Sequence, residues 1–281
     1  MFDQCKFEKV CITGLGEVGL PTAMYISSKG LTVFGYDINK DVVSRALKCG
    51  IKSVENFESL PSDIDAYIIC VSTSLTSFGE PDLTPVLDVC GKIAKRKQKS
   101  VLVSIESTII PGTTRKIYEE IFQADENVYL VHVPHRYWSG NPVKYGVRQL
   151  RVIGAVNRES LKKGIYFYSD ILDIPLHPVS RVEVAEMSKI MENAYRYVCI
   201  TFAEEARMIC EELGLDFEEV RKACNTKWNI EILEARNGIG GHCLPKDIRY
   251  LTSLTKYNTL LRSAMLVDEK YRLWLSRRTR S

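Results

Sequence analysis

Val10-Cys11-Ile12-Thr13-Gly14-Leu15-Gly16-Glu17-Val18-Gly19 decides how the first half of this chain is read. An apolar run, KVCIT, ends in a GxGxxG spacing, and a helix-like segment, PTAMYISSKG, follows it. Gly14 permits a tight turn, Gly16 lets the backbone approach a pyrophosphate, and Gly19 lets helix and strand pack closely, so that phosphates face the helix N-terminus. Glycines alone mark ordinary turns as well, so the context matters. Here the spacing lies between strand and helix, and Asp37 ends the next strand-like run, LTVFGYD. A carboxylate at that place accepts hydrogen bonds from an adenosine ribose and repels a 2′-phosphate. No arginine follows it, so the expected cofactor is NAD rather than NADP. Gly14, Gly16, Glu17, Val18, Gly19 and Asp37 are the expected cofactor contacts.

Working outward, short apolar runs alternate with helix-like segments up to about residue 178. The runs are KVCITG, LTVFGYD, AYIICVS, SVLVSI, VYLVHV, RVIGAV and the short IPLHPV. That alternation predicts an α/β, Rossmann-type, doubly wound and mostly parallel sheet. The character then changes. From Val182 to Leu213 there is no Gly or Pro, which predicts one long helix ended by Gly214. DFEEVRKAC and the segment from Pro245 continue in helical style. The expected organisation is a dinucleotide-binding domain over 1–180 and an all-helical domain over 181–281.

Composition bounds the function. The 281 residues exceed the usual size of one hydrophobic core, which favours two domains. A net charge of +3 is too mild to imply a nucleic-acid partner. No run is long or apolar enough to suggest a membrane span, and MFDQCKFEKV does not read as a signal peptide. Nine cysteines, an odd number with no CxxC pair, fit a reducing compartment better than a disulfide framework, so the expected location is the cytoplasm. Cys11 and Cys70 lie in strand-like runs, where cysteine packs as a small hydrophobe. No metal site is expected.

Cys243 stands apart. It lies in Gly238-Ile239-Gly240-Gly241-His242-Cys243-Leu244-Pro245-Lys246-Asp247, where glycines allow a ligand close and Pro245 and Asp247 suit a helix's first turn. A helix N-terminus with Lys246 nearby favours thiolate. A cysteine framed by three glycines and a Lys-Asp pair is also a poor core position. On the long helix, Lys189 and Asn193 stand at i and i+4 and share a face. Such a pair is often plain solvated surface, but an amine beside an amide can also stabilise an oxyanion or relay a proton.

Together these motifs resemble the UDP-glucose/GDP-mannose dehydrogenase family. The Gly14–Gly19 turn, the CVSTS run, Ser107-Thr108 with PGTT, the Lys189/Asn193 helix and GIGGHCLPKD occur in the family's order over nearly the whole chain. The resemblance implies oxidation of the C6 alcohol of a nucleotide-sugar to a carboxylate with two NAD, through a thiohemiacetal and thioester on Cys243. It further implies oxyanion stabilisation by Lys189 and Asn193, water handling by Asp247 and Thr108, and cofactor contact by Thr73, Thr108 and Lys246. It implies a homodimer through the long helix, with which an apolar stripe of Met187, Ile190, Met191 and Ala194 is compatible.

Two departures stand out. Where the family carries a Pro-Glu dipeptide, often with a second glutamate four residues on, this chain has Pro134-His135 and Ser139. The family glutamate is linked to base chemistry in hydrolysis, and His135 is either a replacement base or a structural residue. The family also has a third, C-terminal nucleotide-sugar-binding domain, into which the basic stretch with Arg277, Arg278 and Arg280 would lead; a separate chain supplying that domain is one expectation. Two rival readings remain: a β-hydroxyacid dehydrogenase using Lys189, and a catalytically silent NAD-binding subunit.

Overall fold

The computed structural model describes residues 6–96 and 100–278; Cys5 and Arg280 lie outside them. These residues form two compact units. One comprises the chain through Ser74 together with Pro81–Ser188, the other Leu75–Glu80 with the chain from Lys189 onward.

In the first unit, β1 (Lys9–Thr13), α1 (Gly19–Ser28), β2 (Thr32–Tyr36), α2 (Lys40–Lys48), β3 (Lys52–Val54) and β4 (Ala66–Ile69) are followed by the two-residue strands β5 (Ser74–Leu75) and β6 (Pro81–Asp82). Then come α3 (Thr84–Ala94), β7 (Val101–Ile105), α4 (Thr113–Lys116), β8 (Val128–His132), β9 (Arg151–Ala155), α5 (Arg158–Ile165) and β10 (Leu176–Pro178). The main sheet has the order β10-β9-β8-β7-β4-β1-β2-β3. Its pairs are parallel except β8 with β9.

Each of the seven apolar runs became a strand; the central ones are apolar on both faces, whereas β10 is an edge strand with His177 and Pro178 exposed. Val10 and Ile12 enter one core with Ala66, Ile68 and Leu102. Their alternating neighbours Cys11, Tyr67, Ile69, Val101 and Val103 enter the core on the opposite face. A sheet covered by helices on both sides requires this pattern. β3 escaped the reading because Lys52-Ser53-Val54 is short and half polar. After PGTT, α4 is only four residues long before the helix widens into a π-helical turn over Ile117–Ile121.

The chain reverses its course across the sheet between β1 and β4, so the crevice at their carboxyl ends is the switch point where doubly wound sheets bind ligands. Gly14 turns there with φ +85, and a Cβ on it would sit 2.7 Å from the backbone of Cys70 and Val71. A Cβ on Gly19 would fall 1.8 Å from the Gly14 carbonyl oxygen. Both positions therefore exclude any side chain.

α6 (Val182–Glu212) is the long helix. It ends at Gly214, whose φ is +71, with Leu215 N–H returning to the Cys210 carbonyl at 2.8 Å. The compact units part within this helix, after Ser188, rather than near residue 180. The reason is chemical: Glu183 pairs with Arg115, and Glu186 accepts hydrogen bonds from the Gly112 and Thr114 amides, which ties the first turns of α6 to the first unit. The second unit continues with α7 (Phe217–Cys224), α8 (Cys243–Ser253) and α9 (Thr259–Arg278). No helix among the described residues is long and apolar enough to cross a membrane.

Candidate active site

In the first unit the expected cofactor residues gather at the carboxyl ends of β1, β2, β4 and β7. Asp37, just past β2, accepts the Leu15 amide on Oδ2 at 2.8 Å and the Asn39 amide on Oδ1 at 2.9 Å. The carboxylate is thereby held against the Gly-rich turn. Gly16 has nothing within 4 Å of where a Cβ would stand, so the turn is open on the side a pyrophosphate would approach. Glu17 is exposed and Val18 half-buried beside it. These residues fit a dinucleotide. Thr73, buried after β4, donates its hydroxyl to the Thr108 carbonyl at 2.9 Å, which joins two expected cofactor residues from neighbouring loops. Ser107 adds a second tie, from its hydroxyl to the Val71 carbonyl at 2.6 Å.

The segment beyond Thr108 has an anchor that sequence reading missed. Glu186 is buried and accepts the Gly112 amide, the Thr114 amide and the Thr114 hydroxyl at 2.6 to 2.7 Å. Burial nonetheless pushes its carboxyl above the ordinary range.

His135 is buried in a polar cluster of the same unit. Its Nδ1 accepts the Tyr137 amide at 3.1 Å, and its Nε2 lies 3.0 Å from Thr22 Oγ1 and 2.8 Å from Arg151 Nη2. Arg151, fully buried, donates to Glu106 Oε1 at 2.8 Å, and the Tyr168 hydroxyl donates to the same oxygen at 2.7 Å. Whichever tautomer the ring adopts, both nitrogens face protein partners. Ser139 is exposed on the following loop.

In the second unit, Cys243 is exposed and is the first residue of α8, two residues earlier than the helix expected from Pro245. Asp247, one turn on, is fully buried. Its Oδ2 accepts the Asn193 amide at 2.5 Å, and Lys246 Nζ stands 2.6 Å from Oδ1 in an ion pair. The Lys246 ammonium also lies 4.1 Å from the centroid of the Tyr250 ring. Lys189 is half-buried one turn before Asn193 on α6. The structure thus brings Asn193, Lys246 and Asp247 together directly. Among the described residues no group of three or more His, Cys, Asp or Glu is placed to hold a metal ion.

The stripe Met187, Ile190, Met191 and Ala194 does not form one free face. Ile190 and Ala194 are buried within the chain, whereas Met191 is exposed. The exposed apolar residues of α6 in this unit are instead Met191, Tyr195, Phe202 and Ile209, with Leu213 just past its end, spaced by four and seven. Those intervals repeat along one side of a helix.

The fold and the Gly-rich crevice define the first unit as a Rossmann-type dinucleotide-binding domain. Residues 40–172 match the NAD binding domain of the UDP-glucose/GDP-mannose dehydrogenase family, and residues 183–269 match its central domain. The chain is 33% identical to a UDP-N-acetyl-D-mannosamine dehydrogenase of Methanococcus vannielii, over 94% of this chain and 66% of that protein. It is 32% identical to the enzyme of the same name from Pyrococcus horikoshii, over 93% of this chain and 68% of the relative. The solved structure of UDP-D-ManNAc dehydrogenase from Pyrococcus horikoshii superposes with a TM-score of 0.87 at 31% identity, covering 95% of this chain and 70% of that one. A 3-hydroxyisobutyrate dehydrogenase of Mycobacterium tuberculosis shares the fold alone, at 14% identity and a TM-score of 0.74, over 95% of this chain and 94% of that one. This chain belongs to the UDP-glucose/GDP-mannose dehydrogenase family, and it spans about two thirds of the length of the curated relatives it matches.

Proposed function

We propose that this protein oxidises the C6 alcohol of a nucleotide-sugar to a carboxylate with NAD, and that UDP-N-acetylmannosamine, the sugar in its relatives' names, is the first substrate to try. The observation that carries the reading is Cys243, exposed at the first position of α8, on the same helix as an Asp247 that is hydrogen-bonded to Asn193.

NAD, when bound, would supply the hydride acceptor for both oxidations at C6. Gly14, Gly16, Glu17, Val18, Gly19 and Asp37 hold the dinucleotide, with Thr73 and Thr108 beside it. The Cys243 sulfur adds to the C6 aldehyde to form a thiohemiacetal, whose oxidation leaves a thioester. Water then cleaves the thioester, releasing the carboxylate and restoring the thiol. Asn193 has two amide hydrogens; Asp247 takes one, and the other is left to donate to a developing oxyanion, with Lys189 adding positive charge. Asp247 fixes the Asn193 amide and the Lys246 ammonium, and Thr108 positions water. His135 has a structural part in this reading, because both its ring nitrogens are taken by protein groups. The exposed stripe of α6 serves a homodimer.

The test is to supply NAD and UDP-N-acetylmannosamine to the purified protein, then a panel of other nucleotide-sugars, and to count NADH per sugar consumed. Two NADH per sugar, lost in Cys243→Ala, is the expected result. One NADH per sugar with unaffected Cys243→Ala would instead indicate a Lys189-based alcohol dehydrogenase. No NADH with any sugar, despite NAD binding, would indicate a silent subunit.

A further inference from the structure

The loop that leads into Cys243 is tied to α6 and α9 at consecutive points, all within the second unit. Arg207 donates to the Ala235 carbonyl at 3.1 Å, and the Tyr271 hydroxyl donates to the Arg236 carbonyl at 2.6 Å. Ile239, buried, is held at both ends of its peptide: Asp268 Oδ1 accepts its amide at 2.8 Å, and Arg272 donates to its carbonyl. Arg272 Nε also donates to Asp268 Oδ2 at 3.0 Å, and the Tyr197 hydroxyl reaches the same oxygen at 3.2 Å. Gly238 fits only as glycine, since its φ is +87 and a Cβ there would meet the Arg272 side chain at 2.8 Å. Three residues, Gly240, Gly241 and His242, lie between Ile239 and Cys243.

A second carboxylate lies in the same cluster. Glu204 on α6 is fully buried, and among the described residues neither carboxylate oxygen has a hydrogen-bond partner. It follows Ile190, Ala194, Tyr197 and Thr201 down the buried side of the helix, where a charged residue is out of place. A buried carboxylate without partners is costly when ionised, so such groups keep their proton. The charged groups that act on it are Asp268 and Arg272 of α9, and the phenols of Tyr197 and Tyr271 feel its charge in turn. Desolvation first, then the Asp268 charge, push the Glu204 carboxyl up to about 7, with Arg272 opposing.

We propose that Asp268 and Arg272 are positioning residues that hold the Cys243 loop through Ile239, and that Glu204 makes this hold depend on a proton. The importance of the loop rests on the reading of Cys243 as the nucleophile; the clamp itself does not. In the closed arrangement Glu204 is protonated and leaves the Asp268–Arg272 pair undisturbed. When the cluster opens and water reaches Glu204, the carboxyl returns to its ordinary range and releases the proton. The sign follows from linkage. A raised pKa in the closed state stabilises that state fully below the ordinary carboxylate value and loses this contribution as pH rises to about 7, above which the effect is level. The clamp is therefore tightest in mild acid and loosest from neutral pH upward.

The experiment is amide hydrogen exchange of the 236–242 segment in the intact protein between pH 5 and 8.5, corrected for intrinsic exchange. Protection of Ile239 should fall by up to about tenfold per pH unit between pH 5 and 7, the limit for one linked proton, and then level off. Glu204→Gln, which imitates the protonated acid, should show protection independent of pH. Global stability is a poor substitute, because the buried His132, pushed down to about 3, works in the opposite direction over the same range. If the variant does not fold, carboxyl carbon NMR of the native protein gives the same answer from the midpoint of Glu204, expected near 7. A midpoint in the ordinary carboxylate range, or equal pH dependence in the native protein and Glu204→Gln, would overturn the proposal. A proton-dependent clamp in a protein whose Cys243 never forms an adduct would refute the catalytic reading alone. An adduct on Cys243 with pH-independent protection of Ile239 would refute the clamp alone.

Discussion

Asn193 on α6 donates a hydrogen bond to the buried carboxylate of Asp247 on α8 at 2.5 Å. Two residues 54 positions apart are thereby locked into one arrangement, and the Asn193 amide acquires a fixed orientation. Asn193→Ala should lower kcat by about 10²–10³-fold, the scale of losing one oxyanion donor. It should also destabilise the fold by roughly 1–3 kcal/mol, because Asp247 loses a partner where no water reaches it. Steady-state kinetics and urea unfolding of the same variant separate the two effects. A kcat left intact beside reduced stability would confine Asn193 to a structural part.

Asp37 has both oxygens committed to backbone amides, Leu15 on one and Asn39 on the other. Those bonds aim the carboxylate and leave its remaining lone pairs for a ribose. The native protein should prefer NAD over NADP, and Asp37→Ala should weaken NAD binding while narrowing the preference by roughly tenfold, about the 1.4 kcal/mol expected from removing one charge repulsion. Titration calorimetry with both cofactors measures this. Equal affinity of the native protein for the two would contradict it.

Of the nine cysteines, Cys11, Cys70 and Cys90 are driven toward the inert thiol by burial. Cys49 and Cys224 are exposed like Cys243, so they are the informative controls. Limiting iodoacetamide followed by peptide mapping should mark Cys243 first, because it alone of these three opens a helix at the end of a glycine-framed loop. Labelling at the rate of Cys49 and Cys224 would remove the argument for an activated nucleophile.

His135→Ala would take the acceptor of the Tyr137 amide and the Nε2 contact shared by Thr22 and Arg151. The expected cost is roughly 2–4 kcal/mol of stability, from orphaned buried donors together with a small cavity. Intact-mass spectra during turnover should show no longer-lived sugar adduct than in the native protein, once the lower folded fraction is allowed for. Unchanged thermal stability with a persistent adduct would identify His135 as the base for thioester hydrolysis.

The stripe of Met191, Tyr195, Phe202, Ile209 and Leu213 leaves large apolar side chains in water along α6. A second copy laid against it would bury them, so light scattering should give a dimer at micromolar concentration. Phe202→Asp, at the centre of the stripe, should produce a folded monomer. A native protein already monomeric at that concentration would show that the stripe serves no homodimer.

Much of the first unit was legible because its signals are local. A GxGxxG between strand and helix is forced by contacts a few residues away, as the 1.8 Å approach at Gly19 shows. The runs apolar on both faces could only become covered strands. The length of α6 followed from the absence of Gly and Pro up to Gly214. The residues of the Cys243 loop were likewise conspicuous by type and spacing. What stayed hidden depended on partners far away in the chain. His135 gives no sign in sequence that Thr22 and Arg151 will enclose it, and Glu186 none that it will anchor the turn at Gly112–Thr114. One signal was present and passed over. Glu204 and Asp268 each sit in line with buried neighbours on their helices, Tyr197 and Thr201 for one, Ala264 and Tyr271 for the other.

The amino-acid sequence by itself determined the Rossmann-type strand and helix succession, the cofactor turn with Asp37, and the candidacy of Cys243, Lys189 and Asn193. Each is written in periodicity, glycine placement or short spacing, which act over one or two turns of chain. Only the tertiary structure decided that α6 divides its allegiance after Ser188, that its exposed stripe runs through Phe202 rather than Ile190, and that Asp268 and Arg272 grip Ile239 beside a buried Glu204. Burial and pairing arise when distant segments meet, and they set the protonation and orientation of every polar group that packing removes from water.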